Sequence, residues 1–474
     1  MPKKADPTDA HPKDLQRWIG AGRLYFGVLG AGLLLVLAAA LPGHMTTDSV
    51  IQLAEGRTGV QRSFNPAFMS WLLGKFDSAL SGTSLFVTFN VVLLFGSLAA
   101  LPGLARRVHW LAVPVLLAAI ATPQVLIYQG IVWKDVFFAN AAIAGTVLLA
   151  LSVHSGAGRA GQLAAWGGGL ALLVVAALVR QNGILALGAA ALAMGLAAGS
   201  RRGWKAGLSA TGTLLGAGLV AFIAMSLAMD RLMPAASPGA AGAGLRVIQH
   251  FDLVGVVARD PKTPLEPLQS EDPLAAATLR ALAAQGYNPE RVDAVSNAPG
   301  LGEALWQTRE GVVAKTWANL PTADVGDYAA HRLAVFRQIF LTPNILACLP
   351  VSTGVQGPEL VLAELSLPAR ENRQDRELYN YASMFFGTPV LSHLPYALIS
   401  LATMVLLLLR GRPSDFVMAG LQAGALAFAG SFLVIALACD YRYLYFLDLA
   451  AITGLIHLAL DPSGLGRRFW RSSP

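Results

Sequence analysis

Apolar residues occur in ten long runs, near 24–42, 84–102, 109–126, 136–153, 162–179, 184–199, 206–228, 391–409, 415–438 and 443–460. Each reaches, or nearly reaches, the roughly 17–25 residues that a helix needs to cross a bilayer. Backbone in hydrocarbon must satisfy its own hydrogen bonds, so each run is read as a transmembrane helix. Two of the intervening polar stretches are longer than turns. In the first, residues 43–83, Thr47 is placed to cap a helix over 48–55 that Gly56 ends, with Val50, Leu53 and Ala54 on one face. Asn65 then caps a second helix with Pro66 at its first position. There Phe68, Leu72, Phe76 and Leu80 recur at spacing four, with Lys75 and Asp77 off the stripe. Both helices are expected to lie in the interface plane. The second stretch, 229–390, is polar enough to stand outside the membrane. It begins with a small-residue linker, Ala235 to Gly244, followed by helical patterns at 274–285, 303–318 and 323–340. No internal repeat is evident.

Composition agrees with this pattern. Of 474 residues 55% are hydrophobic and 13% charged, against about 25% charged in soluble domains. The expected fold class is an all-α polytopic membrane protein of about ten transmembrane helices, with a mainly helical outer region. The expected divisions are a basic N-terminus (1–23), seven spans with the 43–83 loop (24–228), an outer loop or small domain (229–390), three spans (391–460) and a tail (461–474). With the N-terminus inside, sixteen Lys and Arg fall on inner segments and six on the short outer ones. That excess puts both termini in the cytoplasm. The net charge of +7 therefore belongs to membrane anchoring, and nothing points to nucleic acid. Ala38, Ala39 and Ala40 offer a weak signal-cleavage site, but the span is long for a signal and is expected to remain. Cys348 and Cys439 both fall on the outer side, where a disulfide and two free thiols are both open readings.

The charged residues at span ends carry the chemistry. Asp48, Lys134, Asp135, Arg180, Asp440 and Arg442 all fall on the outer face in this topology. Charge against hydrocarbon is costly, and its recurrence at one face points to a polar cavity. Asp48 reads as a general base or as a carboxylate that orients an acceptor; by itself it is also an ordinary first-turn acid favoured by the helix dipole. Arg180 sits with Gln181 and Asn182 in a four-residue turn, a planar cation beside two amides that suits a phosphate. Lys134 and Arg442 are similar cations, each with an acidic neighbour, Asp135 and Asp440, that could simply pair with it. Tyr441 and Tyr443 fit the interfacial aromatic belt as well as a site. His331, Arg332 and Arg337 on the 323–340 helix are read as a solvated face. His250, Asp252 and Asp260 lack a metal-ligand spacing, and no phosphate-binding glycine loop is present. An ATP-driven role would need a partner.

These patches resemble the GT-C superfamily of polytopic glycosyltransferases, which use polyprenyl-phosphate-linked sugars. Thr47-Asp48-Ser49 through Gln52 and Gly56, then Phe64-Asn65-Pro66, is similar to that family's first-loop acid and its His-Pro-Pro-like helix start. Trp133-Lys134-Asp135, Arg180-Gln181-Asn182-Gly183 and Asp440-Tyr441-Arg442-Tyr443 look like outer-face motifs of bacterial members. The likeness spans the chain as a plan and four short patches as motifs. It implies a GT-C-like bundle in the bacterial cytoplasmic membrane, active on the periplasmic face. Asp48 would be the catalytic base, and Arg180, Lys134 and Arg442 would hold the donor phosphate. Gln52, Asn65, Asn182, Asp135, Asp440, Tyr441 and Tyr443 would orient the substrates. The donor would be a polyprenyl-phosphate sugar, and the acceptor an envelope lipid, glycan or protein. Asn65-Pro66-Ala67 departs from His-Pro-Pro. Asp48 is followed by Ser49 rather than a second acid, so a divalent metal stays an open reading without the support of an acidic pair, and no other cofactor is implied. The rival readings are a flippase or transporter of a lipid-linked sugar, and an outer-face polysaccharide polymerase or ligase. Transporters place binding groups near the midplane, often in repeated halves; charges gathered at one face favour an enzyme.

Overall fold

The computed structural model describes residues 12–154, 158–236 and 243–463. The basic tails at 1–11 and 464–474, and most of the Ala235–Gly244 linker, lie outside the described residues. Among the described residues twenty-two α-helices follow one another: α1 (Pro12–Ala40), α2 (Thr47–Thr58), α3 (Ala67–Ala79), α4 (Ser84–Ala100), α5 (Ala112–Ala121), α6 (Pro123–Leu126), α7 (Lys134–Ser152), α8 (Arg159–Val179), α9 (Ile184–Arg202), α10 (Trp204–Leu232), α11 (Ala243–Arg259), α12 (Leu268–Glu271), α13 (Pro273–Gly286), α14 (Asp293–Asn297), α15 (Leu301–Gln307), α16 (Glu310–Ala323), α17 (Val325–Leu341), α18 (Glu359–Leu365), α19 (Arg373–Ser383), α20 (His393–Arg410), α21 (Pro413–Ile435) and α22 (Tyr445–Leu460). Extended pairing among the described residues is limited to isolated bridges.

Among the described residues, nine helical segments are long and apolar enough to cross a bilayer. A tenth, α5 with the short helices at 123–130, is bent by 69°. All ten coincide with the runs read from the sequence, including the Ala- and Gly-rich one. The bend has a local cause: Thr122 precedes Pro123 and is extended, with ψ 147°, because a residue before proline is pushed out of the helical region.

Two spans, α7 and the one at Tyr441–Leu460 that contains α22, are the most enclosed, each with 83% of its apolar window buried, against 17% for α10. Small residues allow this packing. A Cβ on Gly145 of α7 would come within 2.9 Å of the Gly169 carbonyl on α8, the close approach that holds helices together where lipid removes the hydrophobic drive. Polar side chains add a buried chain of hydrogen bonds across the bundle. Asn140 bonds Asn90 (2.7 Å) and Gln129 (2.8 Å), and Gln129 reaches Tyr445 (2.8 Å). Tyr445 donates to the Gln124 carbonyl (2.7 Å), and the Gln124 amide donates to the Tyr441 hydroxyl (2.8 Å). Tyr441 in turn donates to Asp448 (2.6 Å), whose other oxygen meets His393 (2.7 Å). At the opposite end of the bundle Arg410 clamps Asp415 (2.6 Å) and Arg412 clamps Asp461 (2.6 Å).

The structure corrects several local readings. Thr46, not Thr47, caps α2, in a reciprocal box with Ser49. The helix runs past Gly56 and stops at Gly59, whose φ of 69° is left-handed. Gly56 serves a packing role instead: a Cβ there would lie 2.3 Å from the Ser70 carbonyl and 2.7 Å from the Gly74 nitrogen on α3. Pro66, not Asn65, precedes α3; the Asn65 side chain faces Lys134. The pattern at 303–318 is two helices, broken at extended Thr308.

In the long segment between α10 and α20, α11, α13, α16 and α17 enclose Asp252. Its carboxylate accepts from Trp317 (2.6 Å) and Arg332 (2.5 Å) and meets His331 (3.0 Å). His331 and Arg332 are therefore buried, not a solvated face, and burial pushes the His331 pKa down. Arg332 also donates to the Ala436 carbonyl just past α21 (3.1 Å), joining this segment to the bundle. Cys348 and Cys439 form a disulfide, which excludes the free-thiol reading. Beside it Val292 N donates to Leu437 O (2.8 Å) and Cys439 N to Glu290 O (2.9 Å). The turn before α22 is thus strapped to the 243–390 segment by backbone hydrogen bonds and the disulfide.

Candidate functional site

Five chain segments converge where α7, α9 and α22 begin and α8 and α21 end. Asp48, in the first turn of α2, lies 2.7 Å from Arg442, 394 positions away. The same Arg442 nitrogen reaches Asp440 (3.1 Å), and Asp440 takes a second bond from Arg291 (2.7 Å). The Arg442 guanidinium lies over Trp133, 5.0 Å from the ring centre, and 5.5 Å from the Tyr443 ring. Trp133 is itself fixed, its indole N–H donating to Thr46 Oγ1 (2.9 Å). The aim of Arg442 follows from its neighbour. Tyr441, locked between Gln124 and Asp448, faces the core and leaves Arg442 on the other side of the turn.

Lys134 and Asp135 do not pair with each other. Lys134 donates to Asn65 Oδ1, and Asp135 pairs with Arg180. Arg180 lies in an aromatic box, 5.6 Å from Phe428, 5.5 Å from Phe432 and 5.5 Å from Tyr443. Tyr443 therefore separates the two guanidinium groups and contacts both. A planar, weakly hydrated cation suits such faces better than an ammonium does.

Of the acids here, Asp48 is the open one. Its side chain is 36% exposed, against 8% for Asp440 and 3% for Asp135. Burial works to raise its pKa, but the charges of Arg442 and Lys134, with hydrogen bonds from Arg442 and Asn65, outweigh it, and the net shift is downward.

The residues read from the sequence divide accordingly. Asp48, Asn65, Lys134, Asp135, Arg180, Asp440, Arg442 and Tyr443 are brought together. Gln52, one turn along α2 from Asp48, is buried with an unpartnered amide nitrogen. Tyr441 is turned away, its hydroxyl spent in the core, so a direct contact with substrate is excluded. Asn182 is committed in part to Ser431, to which it donates (2.9 Å). Arg337 is exposed on α17. Sequence reasoning missed Thr46, Glu55, Arg291, Phe428 and Phe432. For Glu55 a signal existed, an acid seven residues after Asp48 and so two turns along the same helix side; for the aromatic box there was none. Asp260 has no metal spacing with His250 and Asp252, but in space it meets Asp324 and Asp327, with ligand oxygens within 4.8 Å. Those three are already used by the chain: Asp324 caps α17, Asp260 accepts from Lys262 N, and Asp327 pairs with Arg259. A groove of about 420 Å³ beside the α2–α3 crossing is lined by Arg57, Trp71, Lys75, Asp77, Leu232 and Met233, and by no residue of the cluster.

No family model matches the chain, and no curated protein matches it. Among solved structures it is similar to the archaeal oligosaccharyltransferase AglB from Archaeoglobus fulgidus, determined with an inhibitory peptide and a dolichol-phosphate. The two share 13% identity with a TM-score of 0.40, over 92% of this chain and 50% of that one. The chain thus spans about half the length of that enzyme, and the likeness is too distant to assign residues or activity.

Proposed function

We propose that the chain is a membrane glycosyltransferase. It takes a sugar from a polyprenyl-phosphate donor and passes it to a hydroxyl or amine of a lipid, glycan or protein acceptor. The site faces the periplasm of a bacterial cytoplasmic membrane, with both termini inside. The carrying observation is a single half-open carboxylate, Asp48, paired with Arg442 at the rim of a cluster whose other acids are closed off. The disulfide on the same side supports an oxidising compartment. The resemblance in the four motif patches supplies the reaction class.

The charges of the cluster suggest the sequence of events. Asp48, Glu55, Asp135 and Asp440 balance Lys134, Arg180, Arg291 and Arg442, so an incoming phosphate brings an excess of negative charge. The pair most open to exchange is Arg442 with Asp48. Arg442 turns to the phosphate, joined by Lys134 and Arg180, and Asp48 is released to accept the acceptor's proton. The acceptor oxygen or nitrogen bonds to the anomeric carbon as the carbon–oxygen bond to phosphate breaks, with inversion. The electron pair leaves on polyprenyl phosphate, where the cations stabilise the growing charge. A lipid-linked donor needs no nucleotide motif, in keeping with the sequence.

The test is a transfer assay with purified protein, a panel of polyprenyl-phosphate sugars and envelope acceptors. Asp48→Asn, which keeps the shape and removes the base, is expected to abolish release of polyprenyl phosphate while the protein still folds. Near-normal turnover of that variant removes Asp48 as base. Movement of donor lipid across reconstituted vesicles with no transfer selects the flippase.

A further inference from the structure

Glu55 enters the scheme above only as one of the balancing charges, yet it is fully buried. A buried carboxylate without a paired cation is costly unless donors satisfy it. Three donors do. Oε1 accepts from Arg62 N (2.8 Å) and Ser63 N (2.6 Å), and Oε2 accepts from Ser70 Oγ (2.6 Å). One acid on α2 therefore holds both the turn at 62–63 and the first turns of α3, beside the Gly56–Gly74 crossing.

That turn continues directly into the site. Ser63 Oγ accepts from Asn65 N (3.3 Å) and from Asn65 Nδ2 (3.2 Å), and Gln61 Nε2 holds Asn65 O (2.7 Å). With its backbone and amide nitrogen so fixed, Asn65 presents Oδ1 to Lys134 and helps to lower the Asp48 pKa. Without this turn the loop from Gly59 to Pro66 would have to order itself at the cost of its own conformational entropy.

We propose that Glu55 is a positioning residue for the transfer site: through the Arg62–Ser63 turn it sets Asn65, and Asn65 sets Lys134 against Asp48. This deepens the glycosyltransferase reading and rests on it for its catalytic consequence. The positional claim stands apart and can be read without substrate. The groups facing Asp48 are Arg442, Lys134 and Asn65, with Asp440 behind Arg442; Glu55 acts on them through the turn.

The first readout is acylation of Lys134 by an amine-reactive ester, quantified by peptide mass spectrometry on folded protein in detergent, with exposed Lys75 as reference. Glu55→Ala frees the turn, and the Lys134/Lys75 labelling ratio is expected to rise several-fold. Glu55→Gln is expected to stay near wild type, because its oxygen keeps both backbone donors and its amide can donate to Ser70 Oγ. The second readout is turnover: Glu55→Ala should lower kcat by about 10–100-fold, the scale of a misplaced catalytic group, with the acceptor KM little changed, while Glu55→Gln retains it. Unchanged Lys134 labelling in a Glu55→Ala protein that melts like wild type overturns the proposal. So does Glu55→Gln falling as far as Glu55→Ala, which would mean that charge rather than geometry matters. If Glu55→Ala does not fold, Ser63→Ala decides, since it cuts the link to Asn65 outside the core; an unchanged labelling ratio there overturns the proposal. Altered labelling with no transfer by wild type leaves the positioning intact and rejects the enzyme. Full activity of Glu55→Ala beside a dead Asp48→Asn does the reverse.

Discussion

Asp48 is held ionised by groups from three parts of the chain: Arg442 before α22, Lys134 at the head of α7 and Asn65 before α3. Its pKa is lowered on folding, so the carboxylate persists below the ordinary aspartate value of about 3.9. Any stability it lends is present above that value and fades as pH falls through the lowered one. Acting as the proposed base, Asp48 should therefore fail only in strong acid. The pH profile of kcat/KM is expected to show no acid limb above about pH 4, and Arg442→Gln is expected to move that limb upward. A wild-type limb near neutrality would put the base elsewhere. Arg180 needs a more careful test, because removing it strands buried Asp135. Arg180→Ala is expected to raise the donor KM far more than the acceptor KM, and Arg180→Ala/Asp135→Asn should recover stability without recovering donor affinity. Full recovery of both would reduce Arg180 to the counter-charge of Asp135.

The α2–α3 pair shows how an element's ends and its middle are set by different forces. Thr46 and Ser49 close the N-terminus of α2, and Gly59 closes the other end with a left-handed backbone that most residues avoid. Between them, contact with α3 decides the residue at 56. Since a Cβ there would meet backbone rather than a movable side chain, Gly56→Ala is expected to cost about 1–3 kcal/mol, the usual range for overpacking. That should appear as a lower melting midpoint in detergent. An unchanged midpoint would show that the crossing can open freely. Gly59, with nothing near its missing Cβ, is constrained by backbone conformation alone.

At the scale of the molecule, one covalent link and the Arg291–Asp440 ion pair tie the 243–390 region to the bundle. The Cys348–Cys439 bond closes a separation of 91 residues, so its loss should cost about 2–4 kcal/mol. Cys348→Ser/Cys439→Ser should melt lower and lose activity at a lower temperature than wild type. Reporter fusions after Ser49 and after Ser352 are both expected to register the outer compartment; a cytoplasmic signal from either would break the proposed orientation. The ten spans were legible in the sequence because burying a helix in hydrocarbon demands an unbroken apolar run, and that demand acts residue by residue along the chain. Asp48, Arg180 and Arg442 could be singled out as charges at span ends, since such a position is costly wherever the span goes. Their pairing could not. Lys134 turns from adjacent Asp135 to distant Asn65, Asp135 takes Arg180, and Tyr441 faces inward while Arg442 beside it reaches Asp48. Hydropathy and charge bias are sums over neighbours in sequence, so the chain alone determines them; partner choice depends on distances of a few ångströms between segments hundreds of residues apart, which only the packed helices decide.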